Sequence, residues 1–536
     1  MEDGRMYQQH FSPRATSQSQ PILWSGQVPN AAGGYVWAVD DWTRLDRFLV
    51  LGAEGGTFYV SERKLTVENA QAVAACIKAD GGRAVERIVA ISEQGRAPKN
   101  EPALFALAMA SALGNETTRR AALAALPRVA RTGMRLFHFL AYVEAFRGWG
   151  RGLRQAVGAW YADKPAKALA YQAIKYQARD GWTHRDALRL AHAKPPTAEH
   201  GIVLHWITRG WDDVGAEPHP VEAVRQIWAF ERAKHAASVG EVVELIERYD
   251  LPWEAVPGEW LGETAVWRAL LPKLPLTALL RNLARLTANG ALVPGDAAVD
   301  AVVTRLGNAE ALRAARIHPI ALLAALTTYA RGRGGRGSLV WQPLPAVIDA
   351  LDRAFYLAFG TVEATGKRIV LALDVSGSMH GGTVAGVVGL TPRVGAAAMA
   401  LVTAAVEPQV TTVAFSHEMV PIAISPGQRL DDVVRATNDL PFGATDCAKP
   451  MVWALENGVS ADAFVIYTDS ETWFGKIHPA QALQEYRRKT GIPARLVVVA
   501  MTSSGFSIAD PNDAGMLDVV GFDAAAPQVI SDFIAN

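Results

Sequence analysis

Residues 374–378 read Asp-Val-Ser-Gly-Ser, directly after the apolar run Arg368-Ile-Val-Leu-Ala-Leu. One carboxylate and two hydroxyls fall within five residues, spaced so that Asp374, Ser376 and Ser378 can face one point. A hard divalent cation takes such an oxygen-only partial shell and completes it with water or with a partner's carboxylate. Two more oxygens fit the same edge. Asp469 follows the run Phe464-Val-Ile-Tyr-Thr, and Thr445 sits in the loop Phe442-Gly-Ala-Thr-Asp before a helical stretch. Together they suit Mg²⁺, or another divalent cation, that keeps water and leaves one position open for an incoming carboxylate. The competing account has Asp374 and Asp469 capping helices and the serines making turn hydrogen bonds. The strand-end context and the second acidic strand end favour the metal. Glu471 and Asp446 flank the site as supporting or solvent-facing acids. No nucleophile is partnered with a base, and phosphate-loop and zinc-hydrolase spacings are missing, so an enzyme is not expected.

A second chemistry lies between residues 147 and 194. Arg147-Gly-Trp-Gly-Arg-Gly-Leu-Arg supplies Arg151 and Arg154, and the stretch Ala173 to Pro195 supplies Lys175, Arg179, Arg185, Arg189 and His192. Lys175 and Arg179 are four apart and are predicted to share a helix face; Arg185, Arg189 and His192 are predicted to share another. Trp149, Tyr176 and Trp182 are interleaved. Cations beside aromatics suit phosphate contacts together with stacking on unpaired bases. Each residue alone also has a plainer role, as core aromatic, solvated arginine or capping histidine. A weaker basic pair, Arg96 and Lys99, falls in a loop before a helix. The run Arg331-Gly-Arg-Gly-Gly-Arg-Gly suits either an RNA-contacting tract or an exposed connection.

Two kinds of element must position these groups. At 536 residues the chain exceeds one hydrophobic core, and with 50% apolar and 20% charged residues it reads as soluble and globular. From Thr43 to Gly360 apolar residues recur at three- and four-residue spacings, as in Val67-Glu-Asn-Ala-Gln-Ala-Val and Leu276-Thr-Ala-Leu-Leu-Arg-Asn-Leu. Many medium helices with short loops are predicted, stacked as an irregular solenoid or, less readily, as one bundle. From Lys367 the pattern changes to β-branched runs (368–375, 410–415, 463–468, 494–500 and a further one at 518–522) separated by helical stretches. That alternation predicts a doubly wound parallel sheet, whose ligands bind at the carboxyl ends of the strands. The expected domains are therefore 1–360, helical, and 361–536, α/β, with the Gln-, Ser- and Pro-rich first thirty residues as a loosely packed arm. Charge divides with them: residues 361–536 carry 11 Lys+Arg against 18 Asp+Glu, and residues 1–360 carry 42 against 35. An anionic partner on the first part and a metal on the second would match. Cys76 and Cys447 imply no disulfide framework, no secretion signal opens the chain, and the apolar stretch Val384 to Val406 is broken by Thr391-Pro392-Arg393. A cytoplasmic, non-membrane protein is expected.

The chain resembles the Ro 60 kDa autoantigen family, built on the TROVE module, in a bacterial form. The resemblance spans nearly the whole chain. It is carried by Phe48-Leu-Val-Leu-Gly-Ala-Glu-Gly-Gly-Thr-Phe-Tyr, Gly181-Trp-Thr-His-Arg-Asp-Ala-Leu-Arg-Leu-Ala-His, Pro275-Leu-Thr-Ala-Leu-Leu-Arg-Asn-Leu, Gly366-Lys-Arg, Asp374-Val-Ser-Gly-Ser-Met, Gly443-Ala-Thr-Asp-Cys and Ile508-Ala-Asp-Pro. It implies a monomeric ring of HEAT-like helical repeats closed by a von Willebrand factor A domain with a metal-ion-dependent adhesion site. It also implies binding of small structured Y RNAs on the outer surface and of single-stranded 3′ ends of misfolded noncoding RNAs through a basic central hole. The implied setting is noncoding-RNA quality control, with a polynucleotide phosphorylase-like 3′ exoribonuclease tethered through Y RNA. On this resemblance Lys175, Arg179 and His192 match RNA-contacting positions, and Asp374, Ser376, Ser378, Thr445 and Asp469 match the metal-site oxygens; Arg96 and Lys99 are assigned to the hole more loosely. The alternative function is a metal-dependent protein-interaction module on a helical scaffold.

Overall fold

The β-branched runs of the C-terminal part pair side by side in the order 516–520, 495–500, 463–468, 369–374, 410–415, 419–421, in a computed structural model of the chain. All neighbours are parallel except the Met419–Pro421 edge strand, which runs antiparallel to Val410–Phe415. Residues 15–536 are described, apart from 55, 212–216, 335–337, 360–361, 385–389, 423, 426–427, 439 and 441–442. Arg336 of the glycine–arginine run and Phe442 of the threonine loop therefore lie outside the described residues. Every residue of Ile369–Asp374 and Ala463–Thr468 is buried, as expected of central strands covered on both faces. One covering helix, Pro392–Val406, starts at the Thr391-Pro392 signal: the Thr391 hydroxyl caps it and Pro392 occupies its first turn. Its alanine-rich faces sit against the sheet, so the part of the apolar stretch from 392 to 406 is a helix of the α/β layer, largely buried.

The chain divides into two compact units, and the division departs from the expected one. The sheet unit holds the described residues of 359–536 together with those up to Ala72 and the short stretch Arg96–Pro98; the helical unit holds 73–95 and 99–358. The described part of the N-terminal arm is not loose. Tyr35–Ala38 pairs antiparallel with both Val28–Pro29 and Phe506–Ser507. Gln18 is buried; its amide donates to Asp446 Oδ1 at 2.7 Å and to the Ile477 carbonyl at 2.8 Å, and its carbonyl oxygen accepts from the Thr472 hydroxyl. A segment held by amides and short strands carries no apolar period, which is why composition alone read it as an arm. Arg47 is spent in the same way: fully buried, it pairs with both Asp518 oxygens at 2.6 Å and donates to the Ser504 and Phe506 carbonyls. Removing one partner of such a pair would strand a buried charge, at a cost of roughly 3–5 kcal/mol.

In the helical unit, helices pack on the next helix in sequence or on one two or three elements further along. Glu101–Leu113 lies on Gly133–Phe146, Arg151–Ala162 on His184–Ala191, Arg225–Ala233 on Val239–Tyr249, and Pro319–Ala330 on Pro345–Leu357. That is the packing of stacked helix pairs, with buried Trp160, Tyr161, Phe137, Phe139 and Trp267 as large fillers. No helix among the described residues is long and apolar enough to cross a membrane.

Candidate metal centre and nucleic-acid interface

Asp374 ends its strand, and Asp469 follows the end of the neighbouring one, so parallel pairing brings both carboxylates to the same sheet edge. Both are buried, as are Ser376, Ser378 and Thr445. Asp374 Oδ1 accepts from the Ser376 amide at 2.9 Å and Oδ2 from the Thr468 hydroxyl at 2.7 Å. The Ser376 and Ser378 hydroxyls lie 3.2 Å apart, and Ser378 also hydrogen-bonds Asp469. The threonine loop is tied to both sides: Gly377 N donates to the Gly443 carbonyl at 3.2 Å, and the Trp473 and Phe474 amides donate to the Thr445 carbonyl at 3.2 and 3.0 Å. Thus the structure brings Asp374, Ser376, Ser378 and Asp469 into one cluster and fixes the Thr445 loop beside it.

Electrostatics explain what such a cluster would take. Burial, followed by the charges of Asp374 and Glu471, pushes Asp469 up to about 8. Burial also raises Asp374, against the lowering effect of the hydroxyls of Ser376 and Thr468. Two desolvated carboxylates in mutual repulsion, with hydroxyls at hand and no soft ligand, fit a hard divalent cation, whose charge would stabilise both anions. The donor set at this edge is two carboxylates plus hydroxyls; among the described residues no group of three or more His, Cys, Asp or Glu has metal-holding geometry. Glu471, pushed up to about 7 by burial, accepts from the Ala32 amide at 3.0 Å, and Asp446 holds Gln18. Both flanking acids therefore brace the N-terminal segment, Glu471 from a buried position and Asp446 from a half-buried one.

The basic segment is arranged differently from its expected helix faces. The helix Ala166–Lys175 stops at Lys175, and Ala178–Arg179 pairs with Trp182–Thr183 as a two-residue hairpin. Its turn residues Asp180 and Gly181 have φ of 51° and 78°, the pair of positive values that Asp-Gly turns supply. Lys175 and Arg179 thus do not share a helix face. The Lys175 side chain is only 8% exposed; its ammonium lies 3.2 Å from the Tyr171 hydroxyl and 3.9 Å from Glu254 Oε1. It is held inside the unit, whereas Arg179 projects from the hairpin and is exposed, with Asp180 at 3.6 Å.

The hairpin is anchored from below. Buried His138 hydrogen-bonds Asp180 through Nδ1, and Trp182 packs on Trp149 with ring centroids 5.7 Å apart. The next helix, His184–Ala191, begins with a reciprocal Thr183/Asp186 capping box, and Arg185 and Arg189 stand on its exposed side. His192 is exposed too but is the left-handed cap of that helix (φ 52°), not part of its face. Arg151, Arg154, Arg185 and Arg189 are exposed, and their side chains make no ion pair or hydrogen bond among the described residues.

Arg96 does not behave as expected. It forms a two-pronged ion pair with Asp523 inside the sheet unit, and its side chain is 16% exposed, so it is structural. Lys99 belongs to the helical unit and is half-buried. Sequence reasoning missed a cation cluster formed by Arg131, Arg135 and Arg316. Burial, then the charges of Arg135 and Arg316, pull Arg131 down to about 10, and burial with Arg316 lowers Arg135. Arg316 lies far along the chain, and no local spacing points to it.

A parallel sheet with an Asp-x-Ser-x-Ser turn and a second acidic strand end, joined to stacked helix pairs bearing an exposed hairpin and a basic helix after it, fits a von Willebrand factor A module carried with a helical repeat of an RNA-binding type. The comparisons agree in both halves. Residues 28–328 match the TROVE domain and residues 368–534 match the Ro60 vWA domain. The chain is 45% identical to the RNA-binding protein RO60 of Deinococcus radiodurans over 95% of both chains, and 36% identical to RNA-binding protein RO60 of Caenorhabditis elegans over 95% of this chain and 90% of that one. The crystal structure of the Deinococcus radiodurans Ro protein superposes with a TM-score of 0.70 at 44% identity, covering 92% of this chain and 99% of that one. The chain belongs to the Ro60 family of TROVE-domain proteins.

Proposed function

We propose that the chain is a non-enzymatic RNA-binding scaffold whose helical unit holds RNA on the face formed by the Asp180-Gly181 hairpin and the helix after it. The observation that carries this reading is the set of exposed guanidiniums, Arg179, Arg185 and Arg189, on a rigidly capped and anchored support, without competing acids for the latter two among the described residues. The fixed backbone sets the spacing of these cations for phosphates, so that only their side-chain rotamers remain to be ordered on binding. Relatives named as RNA-binding proteins support it. The ligands proposed are small structured noncoding RNAs of the Y RNA kind, and single-stranded 3′ ends of misfolded RNAs taken through a basic hole. The role is noncoding-RNA quality control in the cytoplasm with a 3′ exoribonuclease tethered through RNA; family resemblance supports these finer parts. In a gel-shift titration, a structured RNA with a free 3′ tail should bind more tightly than a blunt duplex and emerge uncleaved after incubation with Mg²⁺. Equal affinity, or cleavage products, would overturn the reading.

A second proposal concerns the sheet unit, and the buried Asp374/Asp469 pair favours it. Asp374, Ser376, Ser378, Thr445 and Asp469 would hold Mg²⁺, which supplies a Lewis-acidic position for a carboxylate of a protein partner. The chain's own residues orient that position: Thr468 fixes the Asp374 carboxylate, and the Trp473 and Phe474 amides fix the Thr445 loop. Chelation should abolish capture of such a partner and leave RNA affinity unchanged.

A further inference from the structure

Thr57-Phe58-Tyr59, the end of the string that begins at Phe48, lies in the sheet unit and takes no part in the sites above. It forms a tight turn, Thr57 N donating to the Val60 carbonyl at 2.8 Å and Val60 N to the Thr57 hydroxyl at 3.0 Å. That turn packs just beyond the Asp-x-Ser-x-Ser turn: a Cβ on Gly381 would meet the Phe58 ring at 2.7 Å. The Phe58 and Tyr59 rings meet edge-to-face with centroids 5.0 Å apart. Burial, then the charges of Asp469, Glu471 and Asp374, push the Tyr59 phenol up to about 12, so it stays a neutral hydrogen-bond donor beside these acids.

Rings stand on the other loops of the same edge too. His417, half-buried, follows the strand Val410–Phe415 and packs on Gly443, leaving no room there for a Cβ. Trp473 and Phe474 follow Asp469, and their amides hold the Thr445 carbonyl. Phe474 meets both Trp473 and His417 edge-to-face, each at 5.6 Å between centroids. Each of the three loops that supply candidate metal oxygens therefore carries an aromatic ring. These rings are open to a partner: Phe58 is 57% and Phe474 50% exposed, and Tyr59 and Trp473 are exposed as well. Exposed aromatic surface gathered at one place marks an interaction site, whereas single exposed apolar side chains do not.

We propose that these rings form a collar at the metal edge that selects a protein segment whose metal-binding carboxylate is flanked by apolar side chains. The proposal rests on the metal-dependent capture reading above and names the chemistry of its partner. One open coordination position accepts a carboxylate from any source, so discrimination must come from what lies beside it. Apolar flanks would bury against Phe58, Tyr59, Trp473 and Phe474, while polar flanks would lose water there without gaining partners. The acids Asp374, Asp469 and Glu471 at the same edge disfavour a phosphate chain as the occupant.

The test uses full-length protein in Mg²⁺ and two fluorescein-labelled peptides of equal length. Each carries one glutamate, flanked by leucines in one and by serines in the other, and affinity is read by anisotropy. Wild type should prefer the leucine-flanked peptide by about tenfold, which burial of a modest apolar area supplies, and EDTA should abolish binding of both. Phe58→Ser/Phe474→Ser should reduce the preference to less than about twofold and keep the Mg²⁺-dependent rise in melting temperature, since neither side chain supplies a metal oxygen. Equal wild-type affinity for the two peptides would overturn the collar and leave carboxylate capture standing. A preference that survives in the double variant, or in EDTA, would also overturn it, because the apolar contact would then lie elsewhere. Binding of neither peptide in Mg²⁺ would bring down the capture reading itself and the collar with it. If the double variant does not fold, a flank series on wild type decides. Affinity should fall from leucine through valine and alanine to serine; a flat series would refute the collar.

Discussion

Replacing His184 with phenylalanine should flatten the acid side of the protein's stability profile. His184 opens the helix that carries Arg185 and Arg189, buried among Phe137, Trp160 and Tyr161, with the Tyr161 hydroxyl 2.7 Å from Nδ1. Burial pulls its pKa from 6.5 down to about 4. A histidine depressed in the folded state stays neutral there while the unfolded chain takes up a proton below about 6.5, so stability falls as pH drops from about 6.5 towards 4 and is flat above. At 1.36 kcal/mol per pH unit, the loss between pH 7 and pH 5 is about 2 kcal/mol, and the full shift is worth about 3 kcal/mol. Phenylalanine keeps the ring packing, forfeits the Tyr161 hydrogen bond at about 1 kcal/mol, and removes the titration. Urea unfolding followed by circular dichroism at pH 7 and pH 5 gives the comparison. The variant should start less stable at pH 7 and lose about 2 kcal/mol less than wild type on going to pH 5. Equal losses in the two proteins would refute the claim that this imidazole is buried neutral.

Other outcomes follow from the same geometry. Gly181→Ala adds a methyl group that meets no atom within 4 Å but places an L residue at φ +78°, so it should cost about 1 kcal/mol, loosen the hairpin by hydrogen exchange at Arg179 and Trp182, and weaken RNA binding severalfold with little change in overall melting. Arg96→Ala strands the buried Asp523 carboxylate and should destabilise the sheet unit by roughly 3 kcal/mol while leaving RNA affinity unchanged; a large RNA defect in folded protein would return Arg96 to the binding surface. Mg²⁺ at a hundred times its dissociation constant should stabilise the sheet unit by about 2.7 kcal/mol, and Asp469→Asn should abolish that gain without lowering metal-free stability, since it removes a carboxylate that Asp374 repels.

How much of this was legible beforehand depended on the range of the signal. The sheet was plain because each strand is a short β-branched run bounded by turn residues, and strand ends in a parallel sheet converge at one edge, so Asp374 and Asp469 could be brought together on paper. The basic segment is built otherwise than its spacing predicts. Four-residue spacing suggests a helix through Lys175 and Arg179, but the helix ends at Lys175 and the Asp180-Gly181 turn places Arg179 on a hairpin strand, so the two cations do not share a face. Lys175 and Arg96 look like their exposed neighbours in sequence, and only tertiary partners, Glu254 and Asp523, show that they are spent inside. The N-terminal segment misled for the related reason that amide networks leave no periodic trace. Arg316 joins Arg131 and Arg135 only through the fold.

The central claim is that Arg179, Arg185 and Arg189 hold RNA phosphates from the hairpin and its following helix. The most direct measurement is the salt dependence of binding to one structured RNA, for wild type and for the combined Arg179→Gln/Arg185→Gln/Arg189→Gln variant. Each lost phosphate contact should lower the slope of log affinity against log salt by about 1, so the variant should bind more weakly with a slope smaller by about 2–3. A folded variant with unchanged affinity and slope would contradict the account.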